Sequence, residues 1–233
     1  MAALFLKGDF HDPDYNQIWK PAASCYGTDL TACTVWSVLC LYTGYVFWSL
    51  KCTEKQACRI ISSIFVDVIR GVPMIVLAYF IYFGVPYCLN NMIGFNFTLT
   101  ALQAGTVCLA LNCGAYMAEI IRAGILSVDS GQMEAARSLG LPYSRAMIRV
   151  VLPQAIRTMI PSIINQFIIT LKDTSILSVI GFPELVNTAK NVVANSFMSF
   201  QTWGIVAVMY LIVITILSKV AKIVERRLNR GRK

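Results

Sequence analysis

Residues 30–50 (LTACTVWSVLCLYTGYVFWSL) contain no Asp, Glu, Lys, Arg or His. A run of this length matches the roughly 20 apolar residues that a helix needs to cross a bilayer core of about 30 Å. Four further apolar segments follow: 60–87, with Asp67 and Arg70 in its first half and Pro73 inside it; 97–121, uncharged until Glu119; 158–171, carrying Pro161, Asn165 and Gln166; and a last one over about 200–220. The fourth, at 14 residues, would reach only about 21 Å as a helix. The pattern predicts an all-α integral membrane protein with five transmembrane helices. Composition agrees, since 57% of residues are hydrophobic and 14% charged, against roughly 45–50% and about 25% in soluble domains.

The charges fix an orientation for such a chain. Of the 20 Lys and Arg residues, fifteen fall on one side: Lys51, Lys55 and Arg59; Arg122, Arg137, Arg145, Arg149 and Arg157; and Lys219, Lys222, Arg226, Arg227, Arg230, Arg232 and Lys233. Lys7, Lys20, Lys172 and Lys190 fall on the other, and Arg70 lies within the second segment. The positive-inside rule then predicts the N-terminus outside and the C-terminus in the cytoplasm. The net charge of +8 is accordingly a membrane-orientation signal, and no nucleic-acid partner is expected. The expected organisation is an extracytoplasmic segment over 1–29, a transmembrane domain over 30–222 and a basic cytoplasmic tail over 223–233.

Several chemistries are excluded. All eight cysteines lie within the first 113 residues without a CxxC pair, and His11 is the only histidine, so neither a metal site nor a disulfide framework is expected. The opening MAALFLKGDFHDPDYN has no signal-peptide pattern. There is no GxxxxGK[ST] phosphate loop, HExxH or GxSxG, so neither ATP binding of that kind nor hydrolase chemistry belongs to this chain.

Between the third and fourth apolar segments lie 36 residues, 122–157, rich in helix formers and broken by Gly131, Gly140, Pro142 and Pro153. A structureless loop of that length is unusual. Short cytoplasmic helices are expected instead. Asp129 and Gln132 have the spacing of an N-cap and its returning partner, Gly140 suits the position after a helix end, and Pro142 can open the next helix.

Within this region EAARSLGLPYSRAMIRVVLPQAI, residues 134–156, resembles the EAA loop of permease subunits from bacterial ABC importers. Three flanking stretches resemble the polar amino acid uptake branch: Arg70-Gly71-Val72-Pro73, where Val72 stands in place of the usual Thr; Ala115 to Arg122 (AYMAEIIR); and Leu171 to Ser175 (LKDTS). The first apolar segment departs from that branch, being rich in Cys and aromatics with Gly44 its only glycine. The resemblance implies a type I ABC importer permease-like fold with a cytoplasmic coupling helix, a second permease copy or paralogue, ATPase subunits that carry ATP and Mg, an extracytoplasmic solute-binding protein, and a polar amino acid as cargo. It implies no cofactor on this chain.

Residue roles follow. Glu134, Ala135, Ala136 and Gly140 are expected to couple to the ATPase, the small residues permitting close helix approach and Glu134 facing basic groups on the partner. Glu119, Lys172 and Asp173 are the expected solute contacts, because ionisable groups at membrane depth face cavities or partners and broken helices line cavities. Each has an alternative: Glu119 pairs with Arg122 three residues on, and Lys172 and Asp173 are solvated residues at a helix end. Asn165 and Gln166 could bond the solute or a neighbouring span. Asp67 and Arg70, three apart, are expected to form a local ion pair. Other functions open to such a chain are a permease for an opine or compatible solute, and an anchor or sensor subunit that transports nothing.

Overall fold

A computed structural model describes residues 56–94 and 96–229. The first expected span, residues 30–50, the expected extracytoplasmic segment 1–29 and the last residues of the tail lie outside the described residues. Among those described, every regular element is helical. Four stretches are long and apolar enough to cross a membrane: Met74–Met92, Ala101–Leu126, Tyr143–Ile180 and Ser199–Arg227.

The second expected span divides in two. Helix α1, Gln56–Gly71, holds Asp67 and Arg70 and is amphipathic, burying Ser62, Val66 and Ile69 while Ile60, Ile61, Ile64 and Val68 stay exposed. The helix breaks at Val72-Pro73, where Pro73 caps the next helix with ψ 137°. A proline disfavours the α conformation in the preceding residue and so favours a break here, although Val85 and Leu152 stay helical before Pro86 and Pro153. The apolar crossing then begins at Met74, later than expected, as α2 (Met74–Tyr79), a π turn (Phe80–Gly84), α3 (Val85–Cys88) and a second π turn (Leu89–Ile93). The first π turn ends immediately before the Val85-Pro86 pair, and a third, Met147–Val151, ends shortly before Pro153. Proline lacks an N–H and its ring crowds the carbonyl one turn back; the wider π turn relieves that crowding without breaking the helix.

Gly94, with φ +73°, ends this crossing, and Asn90 closes the connection by donating to the Phe97 carbonyl at 3.1 Å and accepting from its N–H at 2.7 Å. Helix α4, Ala101–Leu126, starts at a full capping box in which Thr100 and Gln103 satisfy each other's backbone N–H groups. At about 39 Å its 26 residues run past Glu119 and Arg122. Two short helices follow, α5 (Ser130–Ser138) and α6 (Tyr143–Ala146).

The fourth span is not short. Helix α7, Leu152–Asp173, continues through Pro161 for 22 residues, about 33 Å. Its packing along α4 outweighs the one backbone bond that Pro161 removes. A glycine makes that packing close, since a Cβ at Gly124 would collide with Met159; likewise one at Gly105 would collide with the ring of Phe182, beyond α7. A 3-10 turn (Thr174–Ile180) carries Leu177, Ile180 and, after it, Phe182 into the core with Leu77, Ala78, Cys108 and Leu109.

Helix α8, Leu185–Ser196, was not anticipated from the sequence. Its N-cap is Glu184, fully buried, whose carboxylate accepts from the Val186 N–H at 2.8 Å and the Asn187 N–H at 2.6 Å. The Tyr210 hydroxyl, on α9 (Ser199–Asn229), lies 3.4 Å from the same carboxylate. Helix α9 continues without a break into the basic tail.

Candidate functional site

The helix expected to couple to the ATPase is built as its sequence requires. Asp129 caps α5 by accepting from the Gly131 N–H at 3.0 Å. Gln132 does not return to the cap; its Oε1 accepts from Gln154 Nε2 on α7 at 3.3 Å, and the same Nε2 donates to the Val150 carbonyl at 3.0 Å. At the far end the Gly140 N–H bonds the Arg137 carbonyl at 2.9 Å and the Leu141 N–H bonds the Ala136 carbonyl at 3.2 Å. Those two bonds make a Schellman motif, which needs a left-handed residue at C′; Gly140 has φ +84°. A Cβ there would meet nothing within 4 Å, so within this chain Gly140 serves the turn and not close packing. Ala136 does pack closely, at 4% exposure, while Glu134 and Ala135 face outward. Leu139 at 85%, just past α5, and Tyr143 at 59%, opening α6, stand exposed, apolar surface on the same segment as Glu134.

The motif around Arg70 and the motif from Ala115 to Arg122 meet in space. Arg122 Nε donates to Glu119 Oε1 at 3.0 Å, and its Nη2 contacts the same oxygen. Arg70 Nη1 lies 4.0 Å from Glu119 Oε2. The Arg70 guanidinium also sits over the Tyr116 ring, 5.1 Å from its centroid. Asp67 forms no ion pair among the described residues; it is exposed and adds only a weaker attraction toward Arg122. The expected Asp67–Arg70 pair is therefore replaced by an interhelical one. The reason is geometric: Arg70 ends α1 where α1 packs on α4, so its long side chain reaches across to the Glu119 carboxylate.

The three expected solute contacts do not form one cluster. Gly124 meets Met159, and Cys113 and Met117 pack with Ile163 and Phe167, so α4 and α7 run antiparallel. In that register Glu119 is level with residue 164, and Asp173 lies roughly 13 Å further along the helix axis. Lys172 is exposed and Asp173 half-buried, and Asp173 makes no hydrogen bond or ion pair among the described residues. Of the adjacent amides in the middle of α7, Asn165 is exposed, whereas Gln166 is 5% exposed with its Nε2 unbonded among the described residues. Asn112 on α4, 6% exposed, has among the described residues only the Met74 sulfur, 3.9 Å from its Nδ2, which is a weak acceptor. Two buried, poorly satisfied amides thus line the inner spans. The polarity of both was legible in the sequence; which faces turn inward was not. Glu184 and Lys190, which donates to Ser178 Oγ at 2.8 Å, gave no sequence signal of their own.

Residues 53–231 match the model of the family described as "Binding-protein-dependent transport system inner membrane component". A glutamine transport system permease protein of Escherichia coli (strain K12) is 40% identical over 72% of this chain and 75% of its own length. A probable glutamine ABC transporter permease protein of Bacillus subtilis (strain 168) is 39% identical over 78% of this chain and 81% of its own. Among solved structures, an amino acid ABC transporter with histidines aligns with a TM-score of 0.82 at 34% identity, covering 91% of this chain and 95% of that one. An inward-facing MetNI methionine ABC transporter aligns at 0.64 with 18% identity, a likeness of fold alone. The chain belongs to the binding-protein-dependent transport system inner membrane components, as the permease subunit of an amino acid ABC importer whose ATPase is a separate subunit.

Proposed function

We propose that this permease moves a polar amino acid by alternating access, with glutamine, the solute named for its relatives, the first to test. The C-terminus and the α5 surface face the cytoplasm, as the distribution of basic residues supports. The observation that carries the reading is α5: a capped, Schellman-terminated helix between two membrane-crossing helices, presenting Glu134 and Leu139 outward. Such an element suits receipt of the ATPase subunits' closing motion and its transmission to α7 as a rigid body. An extracytoplasmic solute-binding protein and a second permease, identical or paralogous, complete the machine.

Solute contacts are assigned to the Gln166 amide and to Lys172 with Asp173. A buried N–H with no acceptor costs about 1–3 kcal/mol, which a bound solute would recover, and the adjacent cation and anion suit a zwitterion. Glu119 is assigned to the interhelical pair described above. The test is purification of the chain with its ATPase subunit and reconstitution in proteoliposomes with radiolabelled amino acids. Accumulation that needs ATP and is competed by glutamine supports the reading; a preparation that retains no ATPase overturns it.

A further inference from the structure

Arg70 and Glu119 join α1 to α4 at 4.0 Å, the outer limit of an ion pair. Each of the two has a second partner on α4. Arg122 holds Glu119 by Nε at 3.0 Å and by Nη2, and the Tyr116 ring lies under the Arg70 guanidinium at 5.1 Å. Separating an ion pair near membrane depth ordinarily strands two charges, which is why such pairs stay closed. Here separation strands neither: Glu119 keeps Arg122, and Arg70 keeps the ring face, an attraction worth about 0.5–1 kcal/mol at a partly exposed site. Arg70 also stands immediately before the Gly71-Val72-Pro73 break between α1 and α2, and hinge residues are commonly element termini of this kind.

We propose that the Arg70–Glu119 contact opens and closes in each transport cycle, and that Tyr116 and Arg122 are positioning residues that hold the two charges while it is open. The contact is a joint between α1 and α4 whose two states are balanced by stand-in partners. Removing a stand-in penalises the open state and slows the cycle without removing the closed contact. The inference goes beyond the choice of solute, although its uptake readout rests on the transport reading above.

The experiment uses the full transporter in proteoliposomes. Tyr116→Phe keeps the ring face and is expected to turn over like wild type. Tyr116→Leu keeps bulk without the π face and is expected to slow uptake roughly two- to fivefold, with the solute concentration at half-maximal rate little changed. In the Glu119→Gln background no ion pair remains to exchange, so Tyr116→Leu should add no further slowing. In parallel, amide hydrogen exchange of wild type is compared without nucleotide and with MgATP and vanadate, with faster exchange over residues 68–74 expected in one of the two states. Equal turnover of the Leu and Phe variants, or identical exchange over 68–74 in both states, overturns the proposal. Absence of amino acid uptake by wild type would instead overturn the transport reading, and the exchange measurement would still decide the joint.

Discussion

Replacing Gly140 separates two explanations of the coupling element. The residue adopts φ +84°, and a Cβ built there meets nothing within 4 Å, so in this chain Ala is disfavoured by backbone conformation alone. An L residue in the left-handed region costs roughly 1–2 kcal/mol, which lowers the population of the closed Schellman turn by a factor of about 5–30. Asn tolerates that region far better, so Gly140→Asn should lose no more than about twofold. The assay is solute taken up per ATP hydrolysed in proteoliposomes, alongside the amount of ATPase subunit retained on purification. The expected order is Gly, then Asn, then Ala, then the β-branched Val. If Ala couples as well as Gly while Asn fails, the left-handed turn is irrelevant and small size against the partner decides. If all three variants couple as well as wild type, the turn plays no part in coupling and the role given to α5 fails with it.

Gln132 must accept from Gln154, because Gln154 Nε2 is committed as donor by its bond to the Val150 carbonyl. Gln132→Glu should therefore keep uptake per ATP while Gln132→Leu lowers it roughly two- to tenfold, the worth of one neutral hydrogen bond. Gly124→Ala places a Cβ against Met159 and should destabilise the detergent-solubilised protein by about 1–3 kcal/mol. A smaller residue at 159 in the same chain should restore part of that loss in a thermal unfolding cycle; strictly additive effects would show that the two helices do not meet there. Glu184→Ala removes a buried cap and should lower thermal stability by at least about 1–2 kcal/mol, whereas Glu184→Gln, which retains one acceptor, should lose less. An uncapped α8 as stable as wild type would place Glu184 outside the fold's support. Gln166→Leu should leave assembly and unfolding temperature unchanged or raised, since an unsatisfied amide is removed, while weakening solute uptake; undiminished uptake would return Gln166 to a packing role.

The sequence by itself determined that this chain lives in a membrane and how the helix proposed for coupling begins and ends. Those properties are local: apolar runs set by bilayer thickness, Asp129 at a cap, and Gly140 where a left-handed residue is required. Local signals also misplaced some boundaries. The fourth span looked short because Pro161 and the polar pair Asn165 and Gln166 interrupt its hydropathy, yet contact with α4 carries the helix through them.

Only the tertiary structure decided which charges meet. Asp67 and Arg122 were the near neighbours in sequence of Arg70 and Glu119, and one of those two local pairs formed while the other did not. Arg70 crosses to Glu119 because α1 packs on α4 at that level, a fact of helix register that no spacing along one helix contains. The same register puts Glu119 and Asp173 roughly 13 Å apart and turns Gln166 inward and Asn165 outward. Sequence states which groups are costly to bury; their pairing depends on which faces of separate helices are brought together, and that is settled by packing across the whole bundle.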